Sequence, residues 1–183
     1  MRNIDFIFVL ISCFGIFQKS ISCDLPNDTI STQSQVDSFN IKYPGCTKIT
    51  GNLVITGAIT NLDSLYGIRQ ISGTLSFINT QLKNCLGLYN LDTMYGFRCI
   101  NNSFLKNLYG LESLTYSGPI YIDKNVILKE IVSIYQTDFT SFYLGHCPEI
   151  SLIFGFNTPT ILDDIIIEEN VGLKTIDAFH NVE

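Results

Sequence analysis

Gly51-Asn52-Leu53-Val54-Ile55-Thr56 and Gly73-Thr74-Leu75-Ser76-Phe77-Ile78 are two copies of one short string, an apolar-x-apolar core entered from glycine. Four further cores follow, at Tyr95-Gly96-Phe97-Arg98-Cys99-Ile100, Gly118-Pro119-Ile120-Tyr121-Ile122-Asp123, Thr140-Ser141-Phe142-Tyr143-Leu144-Gly145 and Asp163-Asp164-Ile165-Ile166-Ile167-Glu168. Their first apolar residues, Leu53, Leu75, Phe97, Ile120, Phe142 and Ile165, lie 22, 22, 23, 22 and 23 residues apart. The second ones, Ile55, Phe77, Cys99, Ile122, Leu144 and Ile167, keep the same register. Apolar residues alternating with a period of two read as a strand, and self-similarity at a period in this range marks a stacked repeat.

Between the strands the apolar period changes from two to three. Leu62, Leu65, Ile68 and Ile71 lead into the second strand, Leu82, Cys85, Leu88, Leu91 and Met94 into the third, and Leu105, Leu108, Leu111 and Leu114 into the fourth. Ile150, Ile153, Phe156 and Leu162 lead into the sixth. Such spacing fits an irregular, 3₁₀-like path better than an α-helix, whose apolar residues alternate three and four apart. One unit of this size cannot bury its apolar side alone, so the copies must stack with their strands parallel. The predicted fold is mostly β, a right-handed, leucine-rich-repeat-like parallel β-solenoid of about six rungs over residues 46–183. Leu173, Ile176, Phe179 and Val182 restart the series, with the next strand due beyond Glu183, so the last rung is read as incomplete.

Residues 23–45 stand outside the repeat. Thr29 or Ser31 is placed to cap a short helix over Thr32–Phe39, with Val36 and Phe39 on one face. A helix there would cover the exposed edge of the first strand, and a Cys23–Cys46 disulfide would fasten it, contributing roughly 3 kcal/mol in the chain-entropy model.

Residues 1–22 read as a secretory signal peptide: Arg2, an apolar run from Phe6 to Phe17, then Ser20-Ile21-Ser22 with small residues at the −3 and −1 positions before Cys23. The chain is 46% hydrophobic and 15% charged with a net charge of −6; losing Arg2, Asp5 and Lys19 leaves 9 basic and 16 acidic residues, or −7. That sign argues against nucleic acid as a partner. No apolar run after Cys23 approaches the roughly 20 residues a membrane span needs. The expectation is a secreted, extracellular protein, membrane-anchored only if the chain continues past Glu183. Asn27-Asp28-Thr29 and Asn101-Asn102-Ser103 are acceptor sequons for glycosylation at Asn27 and Asn101. Neither a C-x2-C nor an H-x3-H pair occurs among six Cys and two His, so no metal site and no cofactor is expected. Cys85 and Cys99 fall at inward positions, where a disulfide across the core and two buried thiols both stay open; Cys147 is either free or linked to a partner chain.

Together these features resemble the receptor L domain, the ligand-binding solenoid of insulin-receptor-like and epidermal-growth-factor-receptor-like ectodomains. The matching pieces are the Cys23 segment leading to Cys46, Cys46-Thr47-Lys48-Ile49-Thr50-Gly51-Asn52-Leu53-Val54-Ile55, Ile68-Arg69-Gln70-Ile71-Ser72-Gly73-Thr74-Leu75, Leu86-Gly87-Leu88-Tyr89-Asn90-Leu91 and the rung ending Ile122-Asp123-Lys124-Asn125. The likeness covers residues 23–130 well and continues more weakly to the end. An ordinary leucine-rich repeat joins its strand to the preceding leucines without the inserted turn seen at Ile68 to Leu75. The family receptors carry a cysteine-rich module, a second L domain and a kinase that this chain lacks, so signalling by this chain alone is not expected.

The resemblance implies a non-catalytic module that binds a protein or peptide ligand on its strand face; the alternative is a scaffold or decoy that pairs with a receptor ectodomain. Side chains alternate along a strand, which puts Val54, Ser76, Arg98, Tyr121, Tyr143 and Ile166 in one outward row and Thr56, Ile78, Ile100, Asp123, Gly145 and Glu168 in the next. Arg98, Ile100, Tyr121, Asp123 and Tyr143 form the candidate ligand face, because aromatics and Arg are enriched at binding hot spots. A remote alternative is a β-helix glycan-active enzyme using Asp123 and Glu168, about 9.6 Å apart at the usual strand spacing. Gly145 stands between them, and no nucleophile triad or phosphate loop occurs, so the chain is not expected to be an enzyme.

Overall fold

In the computed structural model, residues 20–25, 28–132, 134, 138–156 and 164–179 are described. The elements in chain order are β1 (Ser22–Cys23), β2 (Thr29–Ile30), α1 (Gln33–Asp37), α2 (Phe39–Lys42), β3 (Lys48–Ile49), β4 (Leu53–Thr56), β5 (Gln70–Ile78) and β6 (Thr93–Ile100). Then come β7 (Tyr116–Ser117), β8 (Ile120–Asp123), β9 (Glu130–Ile131), β10 (Phe142–Gly145), β11 (Leu152–Gly155), β12 (Ile165–Glu168) and β13 (Thr175–Ala178). The protein is mostly β, and its strand pairs are parallel.

Stacking follows the repeat residue by residue. Leu53 pairs with Leu75, Leu75 with Phe97, Phe97 with Ile120, Ile120 with Phe142 and Phe142 with Ile165. The second apolar column, from Ile55 to Ile167, is in the same register. Leu53, Leu75, Phe97, Ile120 and Phe142 are all at most 1% exposed, whereas Ile165 is 37% exposed because β12 pairs on one side only, with β10. Removing a Leu or Phe side chain from water contributes about 1.5–3 kcal/mol, so each rung is held chiefly by its neighbours.

Two sequence expectations about the connecting path need correction. The 3₁₀ turns are present at Asp63–Leu65 and Leu86–Leu88. The series through Ile150, Ile153 and Phe156, however, contains a strand, β11, which joins β9 and β13 in a second, three-stranded sheet. Ile131, Ile153 and Ile176 align across it, so the three-residue spacing there records corners with a strand between them. The helical segment also differs. Its N-cap is Thr32, not Thr29 or Ser31, closed by a capping box with Gln35, and Ser38 separates α1 from α2. Gln35 Oε1 accepts from the backbone N–H groups of Ser31 and Thr32, a reciprocal arrangement available to Thr32 because Gln stands three residues on. The edge of β4 is covered by strand β2, with Thr29 opposite Val54, while α1 lies against the next side, where Gln33 bonds Thr60 and Asn61. Cys23 and Cys46 are disulfide-bonded with Cα atoms 5.9 Å apart, and β1 pairs with β3 beside the bond.

β4, β5, β6, β8, β10 and β12 each turn the corner through a left-handed residue, Gly57, Asn79, Asn101, Lys124, His146 and Glu169, with φ between 51° and 83°. Gly meets no Cβ penalty there and Asn little, which suits the turn. In the middle rungs the next residue, Thr80, Asn102 or Asn125, is buried and joins a polar column under the corners. Thr80 donates through N–H and Oγ1 to Asn102 Oδ1 at 2.9 and 2.7 Å, and Asn102 N–H donates to Asn125 Oδ1 at 3.0 Å. Asn125 Nδ2 donates to the carbonyls of Cys99 at 2.8 Å and Asp123 at 3.1 Å. One column further, Cys147 N–H donates to Asn170 Oδ1 at 2.9 Å.

Asn102 and Asn125 are fully buried, so each bond lost there leaves backbone groups unpaired, at about 1–3 kcal/mol apiece. Asn125→Ala is expected to destabilise the fold by roughly 3 kcal/mol, whereas Asn84→Ala, which removes only a bond to Leu86 N–H on an exposed turn, costs under about 1 kcal/mol. Urea unfolding midpoints of the two variants check this.

Candidate binding face

The outward row places Arg98, Tyr121 and Tyr143 side by side, since β6, β8 and β10 are in exact pairing register at these positions. Strands lie about 4.8 Å apart, so like residues in one row meet face to face. The rings of Tyr121 and Tyr143 stack with centroids 4.4 Å apart and planes 7° from parallel. The Tyr143 hydroxyl donates to Glu168 Oε1 at 2.8 Å. This bond first, then desolvation and the negative charge of Glu168, holds the phenol well above its ordinary titration range, so it stays a donor at physiological pH. A Cβ at Gly145 would collide with that hydroxyl, so glycine is what lets the ring lean across toward Glu168. Arg98 is exposed and makes no ion pair among the described residues. Ile100 is half-buried beside it, and Ser76 at the other side of Arg98 is buried.

Asp123 does not belong to the exposed face. It is 4% exposed, with Oδ1 2.8 Å from His146 Nδ1 and Oδ2 3.3 Å from Lys124 Nζ. Both partners occupy the left-handed corner position, and their side chains reach back over the strand end. The same geometry places the two carboxylates of the glycan-enzyme alternative in different surroundings: Asp123 is buried against His146 and Lys124, and Glu168 is exposed and accepts from Tyr143.

Cys85, Cys99 and Cys147 are free thiols, each fully buried, so no bond joins Cys85 to Cys99 and Cys147 is not available to a partner chain. Cys85 directly precedes the 3₁₀ turn Leu86–Leu88, and Cys99 lies within β6. Burial pushes all three thiols up, Cys147 to about 11. Of the two sequons, Asn27 lies outside the described residues. Asn101 is exposed at its corner and its Nδ2 donates to Asn79 Oδ1 at 2.6 Å, while Asn102 beside it is buried and Ser103 exposed.

Tyr121 and Tyr143 present parallel rings on the strand face. A concave cavity of about 500 Å³ lies instead at the helical segment, lined in part by Leu25, Ile30, Gln35, Phe39 and Tyr43. Small-molecule sites are concave, whereas a strand face with stacked tyrosines and an exposed Arg98 carries the residue types enriched at macromolecular interfaces. Among the described residues no helix is long and apolar enough to cross a membrane. Two features escaped the sequence reading, the asparagine column and the Tyr143–Glu168 bond. The first had a signal, because Asn102, Asn125 and Asn170 recur two residues after their strands.

Thiols that remain protonated are poor nucleophiles. The native protein is expected to take up no iodoacetamide at Cys85, Cys99 or Cys147 at neutral pH and to label at all three in denaturant, as read by mass spectrometry.

Residues 45–133, which span β3 to β9, match the family model of the receptor L domain. No curated protein and no solved structure matches the chain.

Proposed function

We propose that this chain, whose residues 45–133 match the model of the receptor L-domain family of extracellular, non-catalytic modules that bind protein ligands, itself binds a protein or peptide ligand through Arg98, Ile100, Tyr121 and Tyr143. The observation that carries the reading is the Tyr121–Tyr143 stack. Two parallel rings offer a rigid apolar slab with little side-chain entropy left to lose, bounded by a cation on one side and by the Tyr143–Glu168 pair on the other. Asp123 contributes indirectly, by holding His146 and Lys124 at the corner beside the slab.

In this reading the face is carried by about six rungs of a right-handed coil behind the disulfide-linked segment 23–45. Residues 1–22 act as a secretory leader, Asn27 and Asn101 receive glycans, and the product is extracellular. The Cys23–Cys46 bond supports an oxidising compartment.

Protein secreted from eukaryotic cells is the material for the test, with candidate peptide hormones and receptor ectodomains presented in parallel. Wild type is expected to capture a peptide or protein ligand. Tyr121→Ala plus Tyr143→Ala is expected to weaken capture by about 30-fold or more, the loss of a hot-spot pair. Capture of receptor ectodomains alone would instead favour the scaffold or decoy reading, and ligand affinity unchanged in the double variant would overturn the assignment of the face.

A further inference from the structure

The repeat stacks a second kind of residue on another side of the coil. Lys83, Lys106, Lys129, Ser151 and Lys174 recur at spacings of 23, 23, 22 and 23 residues. Backbone bonds lock them into one file: Lys106 N–H donates to Lys83 O at 3.0 Å, Lys129 N–H to Lys106 O at 3.0 Å, Ser151 N–H to Lys129 O at 2.9 Å and Lys174 N–H to Ser151 O at 3.1 Å. Lys129, Ser151 and Lys174 directly precede β9, β11 and β13, so the file borders the three-stranded sheet rather than the tyrosine face. All four lysines are exposed, and none makes an ion pair among the described residues.

Four of the eleven basic residues of an acidic chain thus stand in a single line. At about 4.8 Å per rung the line runs roughly 19 Å, one side chain wide. Lys83, Lys106 and Lys129 follow one another at the rung spacing of about 4.8 Å, within a Debye length of about 8 Å, so their fields add; Lys174 stands two rungs on, about 9.6 Å beyond Lys129 across Ser151. Acids on this side include Glu112, Glu130, Glu149 and Asp177, in flanking positions rather than in the file; Glu130 accepts a hydrogen bond from the Tyr109 hydroxyl at 2.7 Å and Glu112 one from Gly110 N–H at 2.8 Å.

We propose that the Lys83–Lys106–Lys129–Lys174 file is a binding site for a linear sulfated polysaccharide. A narrow, straight row of point charges matches a chain of anionic groups laid along it, and matches a planar lipid surface poorly. Lysine ammonium groups suit sulfate, which needs charge more than a planar fork of donors. The net charge of −6 argues against general attraction to polyanions, which leaves this local line as the source of any affinity. The site is separate from the tyrosine face and does not depend on its ligand.

The test is binding of the full secreted chain to immobilised heparin, with fully desulfated heparin and single-stranded DNA as comparison surfaces. Wild type is expected to bind heparin with an affinity that falls with salt at a log–log slope of about −3, near −0.7 to −0.9 per neutralised lysine, and to bind the other two surfaces at least about tenfold more weakly. Lys83→Ser, Lys106→Ser and Lys129→Ser combined are expected to reduce heparin affinity at least about tenfold and to flatten the slope to about −1. Serine already occupies position 151 of the row, so the fold tolerates it there, and the matching Lys→Arg triple variant is expected to retain binding. Lys42→Ser and Lys48→Ser combined remove two basic charges from elsewhere and are expected to leave affinity within about twofold. Absence of heparin binding in wild type, a loss in the Lys42, Lys48 variant equal to that in the serine triple, or equal binding to DNA would each overturn the proposal.

Discussion

The whole molecule depends on one constraint, that a rung of 22 or 23 residues cannot bury its apolar side except against the rung before and after it. The solution is parallel pairing on the main sheet, where Leu53, Leu75, Phe97, Ile120, Phe142 and Ile165 form one inward column; the one-residue shift between β5 and β6, from Ile71 to Thr74, falls before that column begins. A slip of one residue would turn that column outward and bring the polar row in, so burial itself enforces the register. Once the register is set, every other position of the repeat also becomes a column. The left-handed corners line up, the asparagines beneath them bond rung to rung, and the outer residues form rows across neighbouring strands.

That geometry explains how a short, low-charge chain acquires surface features that single strands do not possess. Tyr121 and Tyr143 are ordinary strand residues in isolation; stacked at strand spacing they become a flat slab, and Gly145 and Glu168 in the adjacent row decide how Tyr143 leans. Asp123 shows the opposite outcome. Its place in the outward row is as expected, but His146 and Lys124 return from the corners and cover it, converting an exposed carboxylate into part of the frame. The lysine file arises by the same rule on another side.

Period and polarity were legible because they are properties of the chain alone. The spacing of the six cores identified the parallel stack, and the residues of the tyrosine row followed from strand alternation. Details that depend on what one rung does to the next were less legible. Apolar residues three apart look alike whether a segment runs straight or turns corners around a short strand, which is why β11 was hidden in the series Ile150, Ile153, Phe156. The cap of the helix hinged on Gln35 reaching back to Thr32, a choice among three neighbouring hydroxyl residues. The cover over β4 went to Thr29–Ile30 because an extended pair satisfies the strand's backbone groups directly, which a helix does not.

The central claim is that the outward rows are set by rung register. Cysteine pairs on the main sheet test it most directly: Ile78→Cys with Ile100→Cys joins register partners, while Ile78→Cys with Arg98→Cys joins positions on the same face two residues out of step. Under mild oxidation the account predicts rapid disulfide formation in the first pair and little in the second, with the native thiols remaining buried. Equal or faster closure of the Ile78→Cys, Arg98→Cys pair would contradict it.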